Sequence, residues 1–379
     1  MRQADDYVLL GLLAAGLVET GRRLQRLADV VPSEPRARGA FSPQWREGVT
    51  QLWWRFQDVG RPAPRNDYAV LDLCRLPFGE WPVELGVAAS DRESALIDGG
   101  AVSEFALEAA RVRHGDVEGQ LVEQRLFQEL MLVARSNTRP GRTAQDGYVR
   151  LRRLLIEHPV LSDLEVAALE QEFPERPADG EPYVMAFVRA AYERRPAEDG
   201  IDLVACGECR IPLPYAYGQP VCGTPGCATQ PETLHLETLG FYWVLHRAVR
   251  RFIHGAGVFE LRVFKELKRL GLDPDLWAAM DALDVSFAVD REGRRYWGTN
   301  EKDWESPGLL ARSFSWPRAP ACDRRFLVIP THRARPTYLR DLEAELVGRL
   351  PADLKVEVVS EKRLLTLVAK EHRAQGRRR

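Results

Sequence analysis

Apolar residues recur at three- and four-residue spacing through the first half of the chain. At two-residue spacing they appear only in short runs further on. The first pattern predicts helices and the second strands. Residues 5–18, 43–56, 118–135, 147–158 and 183–195 read as helices on this basis. Ser162-Asp163-Leu164-Glu165 has the form of a capping box and opens another helix, running to Phe173. Residues 61–82 carry Pro62, Pro64, Pro77 and Pro82 and read as loop-rich. Residues 239–253 read as a further helix with Tyr242, Trp243, His246, Val249 and Phe252 on its stripe. His246 on that stripe reads as a core histidine. Arg247, Arg250 and Arg251 offer either a phosphate-lining face or a solvated one.

The pattern changes beyond residue 258. A helix over 258–270 is followed by strands over 283–289, 294–302 and 325–329. A helix over 337–350, a strand over 354–359 and a last helix over 361–372 complete the chain. Strands alternating with helices at the end imply a mixed sheet with a parallel portion. The expected class is α+β and multidomain. Residues 1–195 form a helical scaffold or partner-binding region. A polar linker around 194–200 leads to a cysteine module over 196–238, and 239–379 forms an α/β domain.

A chain of 379 residues with 45% hydrophobic and 28% charged residues fits two or three ordinary globular domains. No apolar run of about 18 residues exists, so no membrane span is expected. The acids in Met1-Arg2-Gln3-Ala4-Asp5-Asp6 argue against a secretory signal, which makes the cytoplasm the default. Net charge is −2, but residues 330–379 carry 12 basic and 7 acidic side chains and end in Arg377-Arg378-Arg379. That end suits a nucleic-acid partner or a solvated tail. Trp53 and Trp54 with Arg46 and Arg55 offer a stacking surface for nucleic acid, although aromatics at helical spacing are more often core.

The strongest local motif is Cys206-Gly-Glu-Cys209 followed after twelve residues by Cys222 and Cys227. Two close pairs on Gly-rich turns match the needs of a tetrahedral four-thiolate zinc site. Four thiolates leave no open position for water, so a structural role follows. His235, eight residues on, is an alternative ligand. Cys74 and Cys322 stand apart and read as buried thiols.

A second constellation lies between residues 255 and 304. Glu260 falls at the edge of the apolar stripe Val258, Leu261, Phe264, Leu267 and Leu270. A carboxylate turned toward a core needs a cation, a proton or a metal. Asp284 is the second residue of the first strand, Asp290-Arg291-Glu292-Gly293 reads as its turn, and the return strand ends Asn300-Glu301-Lys302. Alternation puts Asn300 and Lys302 on one face and Glu301 on the other. With Asp284 on the Asn300 face, Asp284, Asn300 and Lys302 converge near Glu260. Phosphodiester cleavage wants oxygen ligands for a divalent metal and a cation against developing charge. The chain has only six lysines, none before Lys265, so a lysine retained at 302 carries some information.

This stretch resembles the restriction-endonuclease-like superfamily, whose pattern is Asp, then (Asp/Glu)-x-Lys after a hairpin, with a Glu on a preceding helix. The helix–strand order agrees with its αβββαβ core. The resemblance implies Mg²⁺ or Mn²⁺ held by Asp284 and Asn300, Lys302 as the positioning cation, and Glu260 as an auxiliary acid. The pattern departs at Asn300, a neutral amide where an acid is expected. A bulge that turns Glu301 onto the active face would replace it. The cysteine cluster, zinc-ribbon-like and placed just before such a domain, makes 204–227 and 259–304 resemble the endonuclease-type proteins of prokaryotic PIWI-RE defence islands. That resemblance implies DNA as substrate, with a PIWI-RE argonaute-like protein and an XPD-type superfamily-2 helicase as companions. The alternative is a degenerate nuclease fold that binds DNA or assembles the complex without catalysis. A transcription-factor-like zinc protein lacks a recognition-helix signal here.

Overall fold

The computed structural model describes residues 5–28, 41–113, 117–197, 200–216, 219–290, 293–317 and 319–376. The basic end at 377–379, part of the turn at 290–293 and part of the linker at 194–200 lie outside the described residues. The chain divides into two compact units. One comprises residues 1–120, 304–316 and 333–354, the other 121–303, 317–332 and 355–379.

The first unit is helical. Its helices include Asp6–Ala28, Pro43–Asp58, Asp67–Cys74, Glu104–Val112, Pro307–Ser313 and Pro336–Leu346. Their apolar stripes meet in a core of Tyr7, Leu10, Leu13, Trp45, Leu52, Phe56, Phe78, Phe105 and Leu309. Gly16 lets two helices touch, since a Cβ there would lie 2.6 Å from Cβ of Trp45. Two expectations need correction. The loop-rich passage 61–82 contains the Asp67–Cys74 helix, capped by Asn66, whose side chain accepts from the Ala69 amide at 3.0 Å. The stretch between the strands expected over 294–302 and 325–329, for which no element was expected, contains the Pro307–Ser313 helix. In both, a capping side chain and buried apolar residues outweigh proline content. Pro307 itself sits at the first helical turn, where no amide is needed. Among the described residues, no helix is long and apolar enough to cross a membrane.

The second unit holds a five-stranded sheet in the order Asp275–Trp277, Leu283–Ala288, Tyr296–Glu301, Arg324–Ile329, Glu357–Ser360. The first two pairings are antiparallel and the last two parallel. The edge strand Asp275–Trp277 is an addition to the sequence expectation. The Gly255–Arg269 and Glu361–Gly376 helices share one core with the sheet. Phe259, Val263, Leu267, Leu364 and Val368 pack with Val285, Phe287, Trp297, Phe326 and Val328.

A three-stranded sheet precedes it, with Phe241–Leu245 between Val160–Ser162 and Tyr192–Pro196. This corrects two helix expectations. The helix expected over 183–195 ends at Ala191, and residues 239–253 begin as a strand. Phe-Tyr-Trp-Val-Leu is a β-prone run with a hydrogen-bonded partner on each side, and that pairing overrides its helical spacing. Only then come a short Arg247–Val249 helix and a π-turn, Arg250–His254, leading into Gly255–Arg269.

Candidate active site and metal centre

The pairing register sorts the candidate residues by face. Val285 lies opposite Thr299 and Phe287 opposite Trp297, so these four share the core face. Glu301, two residues beyond Thr299, belongs to the same face. Asp284, Ser286 and Asn300 belong to the other, where the Ser286 and Tyr296 hydroxyls lie 2.6 Å apart.

Lys302 ties the second face together. Its Nζ donates to Asp284 Oδ2 at 2.7 Å, to Asn300 Oδ1 at 3.1 Å and to the Glu301 carbonyl at 3.1 Å. The Glu301 amide donates to the same Asp284 oxygen at 2.8 Å. Asp284, Asn300, Glu301 and Lys302 therefore gather at the end of one strand pair. Asp284 and Glu301 are 4% and 1% exposed, whereas the Lys302 side chain keeps 28% of its surface. Burial works against the Lys302 ammonium, but Asp284 and Glu260 outweigh it and hold its pKa above the usual range.

Among the described residues, neither carboxylate oxygen of Glu301 has a hydrogen-bond partner of good geometry; the nearby Thr299 gives its hydroxyl to the Val285 carbonyl at 2.9 Å. Burial, reinforced by the Asp284 charge, drives the Glu301 pKa well above the carboxylate range.

Glu260 lies at the centre of its helix's buried face, 2% exposed, rather than at the edge. Arg152 grips both of its oxygens, at 3.1 and 3.0 Å, and Trp277 Nε1 donates to it at 2.5 Å. Burial pushes Glu260 up to about 7 against the pull of the guanidinium, and Asp284 adds to the rise. Arg152 also pairs with Asp281 and donates to the Tyr148 hydroxyl at 3.2 Å. Two cations thus serve four carboxylates: Arg152 and Lys302 against Glu260, Asp281, Asp284 and Glu301.

Arg152, Trp277 and Asp281 escaped the sequence reading. A signal for the first was present. Tyr148, Leu151, Arg152 and Leu155 follow helical spacing, so a charged residue sits inside an apolar stripe. Trp277 and Asp281 left no comparable mark, since they owe their places to an irregular turn.

The cysteines form a second centre. Ile201–Cys206 and Pro231–Leu236 make a two-stranded ribbon, with Cys206 at its end. Arg210 and Gly226 have positive φ, 61° and 72°, and turn the chain back at each pair of cysteines. The four sulfurs of Cys206, Cys209, Cys222 and Cys227 lie within 4.8 Å of one another, and Cys209 and Cys222 are 3.5 Å apart. A tetrahedron with Zn–S bonds of about 2.3 Å needs sulfurs about 3.8 Å apart, so these residues fit zinc. Burial raises the Cys206 thiol, but amide donors from Cys209, Glu208 and Gln230 outweigh it and hold the pKa below its usual value. Crowding acts the other way on its neighbours: burial pushes Cys209 up to about 12 and Cys227 higher still.

His235 stands outside this group and pairs with Asp202 at 2.7 Å. Cys74 and Cys322 are buried. His246 is partly buried and its Nδ1 accepts from the Ala248 amide at 3.2 Å. Trp53 and Trp54 are exposed, while Arg55 is turned inward against Asp6. Arg55 is therefore withdrawn from the stacking surface expected there.

Residues 257–376 match the family model described as "REase associating with pPIWI_RE". Residues 26–162 match the one described as "pPIWI_RE three-gene island domain Y". Glu260, Asp284, Asn300, Glu301 and Lys302 fall in the first match, Arg152 in the second, and the four cysteines in neither. No curated protein and no solved structure matches the chain.

Proposed function

We propose that this chain, by its two family matches a restriction-endonuclease-like protein of the pPIWI_RE island, is a divalent-metal-dependent DNA endonuclease of a prokaryotic defence system. The observation that carries the reading is the Glu301 carboxylate. Among the described residues it is buried without a hydrogen-bond partner, beside more carboxylates than cations. A buried anion needs a cation, and oxygen ligands suit Mg²⁺ or Mn²⁺.

Glu301 pairs regularly with Val328, without the bulge considered above, so it keeps to the core face. Asp284 lies just past the last paired residues, Val285 and Thr299, and accepts from the Glu301 amide at 2.8 Å, so the two carboxylates would hold the metal around the end of the strand pair. The Asn300 amide oxygen adds a neutral ligand in place of the expected acid. The bound metal would polarise the scissile phosphate and acidify a water. Lys302, partly exposed beside Asp284, gives its three donors to Asp284, Asn300 and the Glu301 carbonyl, and would offset charge developing on the phosphate once a metal takes over the Asp284 and Asn300 oxygens. Glu260, fixed by Arg152 and Trp277, acts as an auxiliary acid behind this pair.

The four cysteines would hold one structural zinc in a ribbon-like module. A PIWI-RE argonaute-like protein, an XPD-type helicase and DNA are the partners this reading implies, in the cytoplasm. Residues 1–195 would serve as the scaffold, 196–238 as the zinc module and 239–379 as the nuclease domain. Asn300 favours a second reading, in which the fold binds DNA or assembles the complex without cutting. Incubating plasmid and single-stranded DNA with Mg²⁺ or Mn²⁺, beside Lys302→Ala, decides between them. Cleavage lost in the variant supports the nuclease. Absence of cleavage even with both partners added supports the second reading.

A further inference from the structure

Four of the five residues from Trp277 to Asp281 have positive φ: Trp277 at 50°, Ala279 at 53°, Met280 at 55° and Asp281 at 84°. None is glycine, and left-handed backbone of this kind is strained for residues with a Cβ. Such a turn persists only where its surroundings hold it. Here one helix does so, Ala144–Glu157, which lies outside the 257–376 match.

Gln145, Tyr148 and Arg152 fall at i, i+3 and i+7, on one face of that helix. Gln145 Nε2 donates to the carbonyls of Leu276 at 3.3 Å and Trp277 at 2.9 Å, and its Oε1 accepts the Met280 amide at 2.9 Å. Arg152 pairs with Asp281 at the end of the turn and lies 4.7 Å from the centre of the Trp277 ring at its start. The same guanidinium holds Glu260, which in turn accepts from Trp277 Nε1. Asp284 follows three residues after Asp281, and an isolated bridge between Ala278 and Leu283 closes the turn against its strand.

We propose that Gln145 and Arg152 are positioning residues of the metal site, clamping the left-handed turn that leads into the strand carrying Asp284. The proposal rests on the metal-dependent reading above. A nuclease domain cut at residue 257 would lack both side chains.

The test uses the full-length, zinc-loaded protein as wild type and as Gln145→Ala, Arg152→Met and Arg152→Lys. Hydrogen exchange reads the amides of residues 276–286 and of Glu301, and Mn²⁺ alone is titrated by paramagnetic resonance. Exchange across 276–286 rises at least about tenfold in Gln145→Ala and Arg152→Met, as expected for lost hydrogen bonds. Mn²⁺ affinity falls by about 10- to 100-fold, the usual effect of removing a group that orients a ligand. Arg152→Lys recovers part of the affinity, which a purely packing role would not predict. Exchange of the Arg324–Ile329 strand and zinc content stay at wild-type levels.

If the turn stays protected in both variants, or Mn²⁺ affinity holds within about twofold of a wild type that binds it, the proposal is overturned. A wild type that takes up no Mn²⁺ overturns the metal reading instead, and the exchange arm still decides the clamp. Should Arg152→Met fail to fold, Gln145→Ala carries the test, because it leaves every charge in place.

Discussion

Replacing Glu301 by Gln removes a charge while keeping the shape of the side chain, and its effect depends on pH in a definite direction. The carboxyl is 1% exposed and its pKa is raised by burial, with the Asp284 charge adding to the rise. A carboxyl with a raised folded pKa contributes its stability below the unfolded value, here 4.5, and loses it as pH rises toward the folded value. Without metal, wild-type protein at pH 8 therefore bears either a buried anion or a proton held against the solvent. The second option sets a ceiling on the cost of about 5 kcal/mol at pH 8, and under about 1 kcal/mol at pH 5. The Gln amide still needs partners and gives back about 1–3 kcal/mol. Glu301→Gln should thus stabilise the metal-free protein at pH 8 by at most about 2–4 kcal/mol, a rise in Tm of no more than roughly 4–16 °C for a unit of this size. At pH 5 the gain should vanish or reverse. Mg²⁺ added at pH 8 should raise the Tm of the wild type and leave the variant unmoved. Scanning calorimetry at both pH values, with and without Mg²⁺, measures all four quantities. Equal effects at pH 5 and pH 8 would show that Glu301 is not the titrating buried group, and full Mg²⁺ stabilisation of the variant would show that it does not hold the metal.

Asp284→Ala and Lys302→Ala should each reduce cleavage by at least about 10²-fold while zinc content and the circular dichroism spectrum persist, and full cleavage by either would remove its assigned role. Cys209→Ser should lower bound zinc from one per chain to a small fraction by elemental analysis, and should speed exchange across 204–227, because structural zinc binding is folding energy for its module. In the helical unit, Asp91 accepts from Tyr7 at 2.5 Å and Ser306 at 2.8 Å, and burial pushes its pKa up to about 6. That shift costs stability as pH rises from about 4 through 6, on the order of 3 kcal/mol. Asp91→Asn should flatten the fall in urea midpoint over that window, and an unchanged slope would disprove the assignment.

The strands around the site were legible because their signal is local. Leu283–Ala288 and Tyr296–Glu301 are short, β-prone and separated by a polar turn, so their alternation was readable without the sheet. The cysteine cluster was legible for the same reason, since close pairs on Gly-rich turns need little context. Phe241–Leu245 was not legible, because its spacing also fits a helix and only strands 80 and 50 residues earlier decide the matter. The Asp67–Cys74 and Pro307–Ser313 helices were hidden by prolines that lie outside them or in their first turn. Glu260 illustrates a subtler limit. Its helix was clear, but its depth of burial depends on Arg152, 108 residues away, whose fork makes that burial tolerable. No periodicity predicts a left-handed turn at Trp277–Asp281, which exists because Gln145 and Arg152 hold it.

Metal-dependent nuclease activity is tested most directly by cleavage of plasmid and single-stranded DNA by the purified full-length protein, with Mg²⁺ or Mn²⁺, beside Lys302→Ala and with the proposed PIWI-RE and helicase partners present and absent. Nicking or cutting that needs the divalent ion and is lost in Lys302→Ala is the expected result. Cleavage that survives in Lys302→Ala, or no cleavage under any of these conditions, would contradict it.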